Sequence, residues 1–205
     1  MGLYSFGRVV CRALFRLVFS VKIYGVENLP PEGQGFLTVC NHQSYLDPPL
    51  LGICLRHHQL VFMAKAELFE KPILGPLIKK LGAFPVSRGK GDTSALDRAV
   101  ETVRQGHSLA LFPEGTRSLT GEPLKPKSGA VVIASQTGGD IVPAAIYYKG
   151  KHKHFRSKII IRFGKPIKQQ ELQLSEHPAP SEIKRASQFV MGKIIELLDE
   201  SKKEA

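Results

Sequence analysis

Short apolar bursts recur along the chain, separated by stretches whose apolar residues follow a helical spacing. Phe36–Cys40, Leu60–Ala64, Ala83–Val86, Ser108–Phe112, Ile141–Tyr148 and Lys158–Phe163 are brief and apolar on both faces, the pattern of strands buried within a sheet. Between them, Pro48–Arg56, Pro72–Leu81, Thr93–Gln105 and Ser128–Gln136 predict helices, and a closing helix is expected near Ser181–Glu200. This alternation predicts an α/β fold: one layered domain with a largely parallel mixed sheet flanked by helices, and an antiparallel pair near the sheet's end. Chemistry in such folds sits on the loops at strand ends. The last residues, Asp199–Ala205, are charged and expected to fray.

The amino terminus follows a different pattern. From Leu3 to Tyr24 the segment is rich in Val, Leu, Phe and Ile, yet Arg8, Arg12, Arg16 and Lys22 interrupt it. At about 100° per residue these cations share about a third of the circumference and apolar residues take the rest. Residues 1–24 therefore read as a basic amphipathic helix at a membrane interface, and residues 25–205 as the layered domain. Lys22-Ile23-Tyr24 also has the look of a short strand. A spanning helix needs about 20 consecutive apolar residues, which the arginines prevent. A signal peptide is excluded because the cations run through what would be its apolar region, and N-myristoylation because Phe6 stands where Ser or Thr is required. The alternative is a helix whose apolar face packs on the domain while its arginines are displayed.

Composition narrows the partners. A chain of 205 residues with 42% hydrophobic content supports one core, and 29 Lys and Arg against 18 Asp and Glu give a net charge of +11. That charge suits an anionic membrane surface, a phosphate-bearing substrate or nucleic acid. Nucleic acid is not expected: zinc-finger spacing, an RNA-binding aromatic signature and tryptophan are all absent from the sequence. Arg88-Gly89-Lys90-Gly91-Asp92-Thr93 fails as a phosphate loop, since Phe84 stands at the first glycine position and Gly91 follows the lysine. The basic run Lys149–Lys158 reads as a solvated hairpin loop or an anionic-lipid contact. Three scattered cysteines support neither a disulfide framework nor a thiolate zinc site, and fit a reducing cytoplasm. His57-His58 and His152-x-His154 read as incidental, so no metal is expected.

Two stretches carry chemistry. In Asn41-His42-Gln43-Ser44-Tyr45-Leu46-Asp47, histidine and aspartate stand five positions apart, about 140° apart on a helix. They can meet only across a bend, with His42 leaving a strand and Asp47-Pro48 opening a helix, Asp47 as cap and Pro48 at the first helical position. A carboxylate on the far nitrogen makes an imidazole a general base. The acylated group would be Ser44, Cys40 or a hydroxyl brought by the substrate. Phe112-Pro113-Glu114-Gly115-Thr116-Arg117-Ser118 also leaves a strand, and its amides around Gly115 beside Arg117 form a candidate anion cradle. Lys65 and Arg88 follow two further strands and would add positive potential near the imidazole.

The order of these stretches resembles the glycerolipid acyltransferase family. Asn41–Asp47, Gly82–Gly89 (GAFPVSRG), Phe112–Ser118 and Ile141-Val142-Pro143-Ala144-Ala145 match its four blocks in sequence, over roughly Lys22 to Ile167, and the look is closest to bacterial 1-acyl-sn-glycerol-3-phosphate acyltransferases. The resemblance implies that His42 is the base and Asp47 its orienting acid. It associates Arg88, Glu114, Gly115 and Arg117 with the glycerophosphate acceptor and Lys65 with its phosphate, and links Pro143 to the acyl-donor side. It implies direct acyl transfer from acyl-CoA or acyl carrier protein to lysophosphatidic acid at the cytoplasmic face of a membrane, with no cofactor. A longer two-helix anchor is expected to be reduced here, since one basic amphipathic segment precedes the first block. Alternatives are acylation of glycerol 3-phosphate or another lysophospholipid, or a non-enzymatic basic peripheral membrane protein.

Overall fold

The computed structural model describes residues 3–55, 58–86, 93–150 and 155–205, with side chains from Gly7 onward. Seven strands form one mixed sheet: β1 (Ser20–Tyr24), β2 (Phe36–Cys40), β3 (Leu60–Lys65), β4 (Phe84–Val86), β5 (Ser108–Leu111), β6 (Asp140–Tyr148) and β7 (Lys158–Phe163), in spatial order β1-β7-β6-β2-β5-β3-β4. The expected antiparallel pair is β6 with β7; every other pairing is parallel. The helices are α1 (Leu3–Val18), α2 (Asp47–Cys54), α3 (Leu74–Lys80), α4 (Thr93–Arg104), α5 (Gly129–Thr137), the short α6 (Gln169–Leu172) and α7 (Pro180–Glu204). β2, flanked by β5 and β6, is fully buried along its length, which is why its sequence is apolar without alternation.

Handedness assigns the helices to faces. The steps β2–α2–β3 and β3–α3–β4 move one way across the sheet, while β4–α4–β5 and β5–α5–β6 move back. Right-handed crossovers therefore put α2 and α3 on one face and α4 and α5 on the other. Packing agrees: α4, α5 and α7 share a core with Leu37, Val39, Leu109 and Ile141, while α2 packs with Phe36, Cys40, Ala110 and Val142 on the opposite side.

The amino-terminal segment divides where one helix to Tyr24 was expected. Its helix ends at Val18, and Ser20–Tyr24 becomes the edge strand β1, parallel to β7, so Lys22 belongs to the sheet. Cys11, Phe15 and Phe19 pack inward, Arg8 Nη1 donates to the Leu55 carbonyl at 2.8 Å, and Val9, Val10, Leu14, Leu17 and Val18 face outward. One apolar edge of the segment, Cys11, Phe15 and Phe19, thus packs on the domain with Arg16 exposed, as in the alternative reading, while a second, aliphatic stripe stays outside. The two phenylalanines fill the groove beside α2, leaving the aliphatic stripe uncovered.

The carboxyl terminus departs from expectation as well. α7 continues to Glu204 because that carboxylate accepts from Arg162 Nη2 at 2.7 Å and from the Tyr24 hydroxyl, tying the last turn to β7 and β1.

Candidate active site

Two turns leave adjacent parallel strands at the same end of the sheet. β2 ends at Cys40 and β5 at Leu111, and Val39 lies opposite Leu111, so Asn41–Asp47 and Phe112–Ser118 emerge side by side. Asn41 fixes the first turn. Its side-chain amide accepts from Ile146 N–H at 2.8 Å and donates to the Ile146 carbonyl at 3.0 Å, continuing the β2–β6 ladder past the strand end. Backbone bonds then cross between the turns: His42 N–H donates to Glu114 Oε1 at 2.7 Å, and Ser118 N–H donates to the His42 carbonyl at 2.8 Å.

His42 Nδ1 donates to Asp47 Oδ2 at 2.8 Å. The same oxygen accepts the N–H groups of Gln43 at 2.6 Å and Ser44 at 2.7 Å, and Oδ1 accepts the Tyr148 hydroxyl. Asp47 is fully buried, and a buried carboxylate is tolerable only when its oxygens are satisfied in this way. It is the first residue of α2 and makes no cap bond to its own helix. This corrects its expected role as cap, with Pro48 now the second helical residue, because its oxygens turn back onto the preceding bend. With Nδ1 committed as donor, Nε2 keeps its lone pair, and it has no protein partner among the described residues. The ring lies flat on Phe112, centroids 4.0 Å apart at 18°, and Phe112 in turn stacks on Phe62. Burial and then the Asp47 charge push the Tyr148 phenol above its ordinary value of 10.0, so the phenol stays a donor.

The other residues singled out from the sequence fall into distinct settings. Gly115 takes a left-handed conformation, φ 69°, and a Cβ there would stand 2.8 Å from Lys127 Cε and 2.9 Å from Lys127 Nζ; the missing side chain is what lets that lysine lie across the turn. Arg117 places its guanidinium 3.6 Å from the centroid of the exposed Tyr45 ring, and neither Arg117 nor Lys127 has an acidic partner among the described residues. The cradle around Gly115 is partly filled by the protein itself: Gly115 N–H donates to the Phe112 carbonyl at 3.0 Å and Ser118 N–H to His42.

Glu114 lies beneath the turn. It is buried, with its carboxylate taking the His42 N–H on Oε1 and the Leu124 N–H on Oε2 at 2.9 Å, so it braces the turn from beneath. Burial pushes its carboxyl above the ordinary 4.5, against the two backbone bonds. Lys65 ends β3 and forms an exposed ion pair with Glu67 at 2.7 Å. Arg88 lies outside the described residues, two positions past β4, whose last residue Val86 pairs with Lys65. Pro143 is buried in β6 opposite Val39. Its ring nitrogen points to the β7 side, where the ladder begins only at Ala144 and Gly164 N–H reaches the Pro143 carbonyl at 2.8 Å, a place where proline costs no ladder bond.

Sequence reasoning missed Asn41, Tyr148, Lys127 and Tyr45. Only Lys127 left a trace, as the second lysine returning toward the turn ahead of a helix start. A cavity of about 730 Å³ lies beside α1, but its lining, which includes Arg12, Arg16, Cys54 and His58, is at the far end of α2 from Asp47. The site itself is the shelf formed by the two turns, where the His42 side chain is 15% exposed. Among the described residues no three His, Cys, Asp or Glu side chains come together to hold a metal ion.

Known proteins resemble this chain in sequence and in fold. A protein named 1-acyl-sn-glycerol-3-phosphate acyltransferase from Bacillus subtilis is 34% identical over 169 residues, covering 82% of this chain and 83% of its own. A lyso-ornithine lipid O-acyltransferase from Pseudomonas aeruginosa is 34% identical over 142 residues, 68% of this chain and 52% of its own. The crystal structure of the 1-acyl-sn-glycerophosphate acyltransferase from Thermotoga maritima superposes with a TM-score of 0.75 at 25% identity, over 97% of this chain and 79% of that one. The acyltransferase family profile matches residues 20–147, a span that holds β1 through β5, all but the last residue of β6 and both turns, and the chain belongs to the acyltransferase family.

Proposed function

We propose that this O-acyltransferase moves a fatty acyl group from an acyl thioester, on coenzyme A or acyl carrier protein, to the sn-2 hydroxyl of 1-acyl-sn-glycerol 3-phosphate, giving phosphatidate. The observation that carries the reading is the committed Nδ1 of His42, 2.8 Å from a fully buried Asp47, with Nε2 left as the ring's one basic position. His42 Nε2 takes the proton of the acceptor hydroxyl as its oxygen bonds to the thioester carbonyl carbon. The carbonyl oxygen becomes an oxyanion. Its collapse breaks the carbon–sulfur bond, and the departing sulfur takes the proton from Nε2, restoring neutral His42. Asp47 stays ionised throughout and holds the imidazolium that forms between the two transfers. A thioester is already activated, so no metal or cofactor is invoked.

Arg117 and Lys127 supply the acceptor's phosphate with cations that have no internal acid to satisfy them, joined by Lys65 and Arg88 from the neighbouring strands. A covalent acyl-enzyme is disfavoured on two counts. Cys40 is fully buried, and burial, with Asp47 next, pushes its thiol well above 9.0. Ser44 is buried and its hydroxyl accepts from Leu46 N–H at 3.2 Å instead of contacting His42. Among the described residues no helix is long and apolar enough to cross a membrane; the outward apolar stripe of α1 supports a peripheral or monotopic seat on a bilayer, which belongs in this reading at the cytoplasmic face, where the acyl donors are.

Thiol release from acyl-CoA and from acyl carrier protein, with and without lysophosphatidate, tests the reading. Release should depend on the acceptor, and His42→Ala should lower it by at least about a thousandfold, while Cys40→Ala and Ser44→Ala remain active. Substantial turnover by His42→Ala would sink the assignment. Lyso-ornithine lipid and glycerol 3-phosphate belong in the same series, the former because of the Pseudomonas relative; faster turnover of either would replace the acceptor named here and leave the mechanism standing.

A further inference from the structure

The segment between β3 and β4 carries a surface that the reaction does not use. Residues 71–86 contain Lys71, Lys79 and Lys80 and no acid. Within it α3 turns its apolar side outward: Ile73 is 84% exposed, Leu77 48% and Leu74 40%. The inward side is made by Gly75, buried so closely that a Cβ would stand 2.1 Å from the Phe69 carbonyl oxygen. A helix anchored by a glycine and showing leucine and isoleucine to solvent is unusual for a domain of this size. The opposite face of the sheet offers the contrast, since α4 and α5 expose no large apolar side chain and α7 only Phe189 and Ile195, at 36% and 39%.

We infer that α3 is a second membrane foot, seating Ile73, Leu74 and Leu77 among the acyl chains of an anionic bilayer with Lys71, Lys79 and Lys80 at its headgroups. Three observations favour lipid over a protein partner. The exposed apolar residues stand beside Lys71, Lys79 and Lys80, with Glu70 the nearest acid in sequence, a cationic balance that an anionic interface attracts. α3 lies on the same face of the sheet as α1 and approaches it, Leu81 Cδ2 standing 3.9 Å from where a Cβ on Gly7 would be, and α1 likewise turns Val10, Leu14 and Leu17 outward. And the amino end of α3 follows β3, whose last residue is Lys65, so a bilayer touching it would reach the edge of the catalytic shelf. Two feet fix a plane where one helix fixes only a line, which would hold the shelf against the leaflet that supplies the acceptor. This last consequence rests on the proposed activity; the foot itself does not.

The test compares wild type with Ile73→Glu/Leu77→Glu and with Lys79→Glu/Lys80→Glu, on vesicles of phosphatidylcholine containing phosphatidylglycerol and on pure phosphatidylcholine. Ile73→Glu/Leu77→Glu should lower partition onto both by at least about tenfold. Lys79→Glu/Lys80→Glu should lower it on the anionic vesicles alone, an effect lost in high salt. Thiol release with lysophosphatidate in detergent micelles should stay within about twofold of wild type in every variant. Ile73→Glu by itself, at a site already 84% exposed, serves should the double variant lose its thermal transition. Unchanged partition overturns the foot and leaves α1 as the anchor. Lost micellar turnover with a normal melting temperature overturns it too, by assigning the patch to substrate. So does a selective loss of turnover with acyl carrier protein, which would make that protein the occupant. If no variant, wild type included, releases thiol while partition behaves as expected, the catalytic reading falls and the foot stands.

Discussion

The two turns at the catalytic end of the sheet treat their charges in opposite ways. The acids are saturated: Asp47 accepts four hydrogen bonds and Glu114 two, all from the protein. The cations beside them are not, for Arg117 rests on an aromatic ring and Lys127 on a glycine. Every bond to the acids fixes the position of His42 or its neighbours before any substrate arrives, which is the preorganisation a general base requires. The cations are spared from internal pairing, so a phosphate entering between them need not first break a salt bridge. Groups that position are satisfied within the fold, and two of the cations proposed to bind, Arg117 and Lys127, are left for the ligand, while Lys65 keeps an exposed pairing with Glu67.

The sharpest way to break this comparison is at Asp47. Asp47→Asn keeps the shape but offers one acceptor oxygen and an NH2 where the pocket supplies only donors to two oxygens. The imidazole then loses its fixed tautomer, and kcat for thiol release is expected to fall by about 10³–10⁴-fold, the scale of the equivalent change in serine-protease triads. The KM for the acceptor should move far less. A loss smaller than tenfold in single-turnover kinetics would mean that the saturated carboxylate is structural.

Glu114 comes next, with stability as its main readout. Glu114→Ala leaves the N–H groups of His42 and Leu124 without their acceptors, and each unsatisfied donor costs about 1–3 kcal/mol. Melting temperature should drop markedly and activity with it. The pH dependence is separable. Because burial raises the folded pKa above the unfolded value, the folded state holds its proton more tightly, and this group's contribution to stability diminishes as pH rises from about 4.5 through the folded value. Glu114→Gln should flatten that slope. Equal slopes in wild type and Glu114→Gln would show that another group sets it.

Much of this architecture is legible in the sequence, and the limits are physical. The strand runs read correctly because a buried parallel sheet has no polar face to confuse them. The five-residue spacing of His42 and Asp47 read as a bend because a helix cannot hold both on one side. What does not read is the partner of each group. Asn41 bonds a strand 105 positions away, and Asp47 meets Tyr148 across 101; neither distance leaves a local pattern. Glu114 and Arg117 share a block, but that one is buried under the turn and the other lies on an exposed ring does not read from their spacing. The stripes on α1 are plain from periodicity, but which stripe faces the domain depends on the groove that Phe15 and Phe19 fill. Lys127 lies outside the blocks, and only the left-handed Gly115 beneath it shows why it belongs to the site.

The cations test the other half of the comparison, with a smaller effect on a different parameter. Arg117→Ala should raise KM for lysophosphatidate by about 10–100-fold, the worth of one or two charge-assisted bonds at about 1.5–3 kcal/mol each, with kcat changed less. Lys127→Ala should do the same at the lower end of that range, since a lysine offers a point charge rather than a fork. Both effects should shrink with rising salt. A fall in kcat at constant KM would move these residues from binding to the chemistry.

Tyr45 gives the smallest effect and the finest discrimination. Its ring is 68% exposed and lies 3.6 Å from the guanidinium carbon of Arg117, so the hydroxyl has no part in the contact and the aromatic face has all of it. A cation–π pair at an exposed site contributes about 0.5–1 kcal/mol, which converts to about a two- to fivefold rise in KM for Tyr45→Leu. Tyr45→Phe should match wild type. In an Arg117→Ala background the Tyr45→Leu change should have no further effect, because a ring that acts only by aiming the guanidinium has nothing left to aim. If the two changes instead add in full, Tyr45 touches the acceptor itself, and the unpaired arginine would be held in place by the fold without help from the turn beside it.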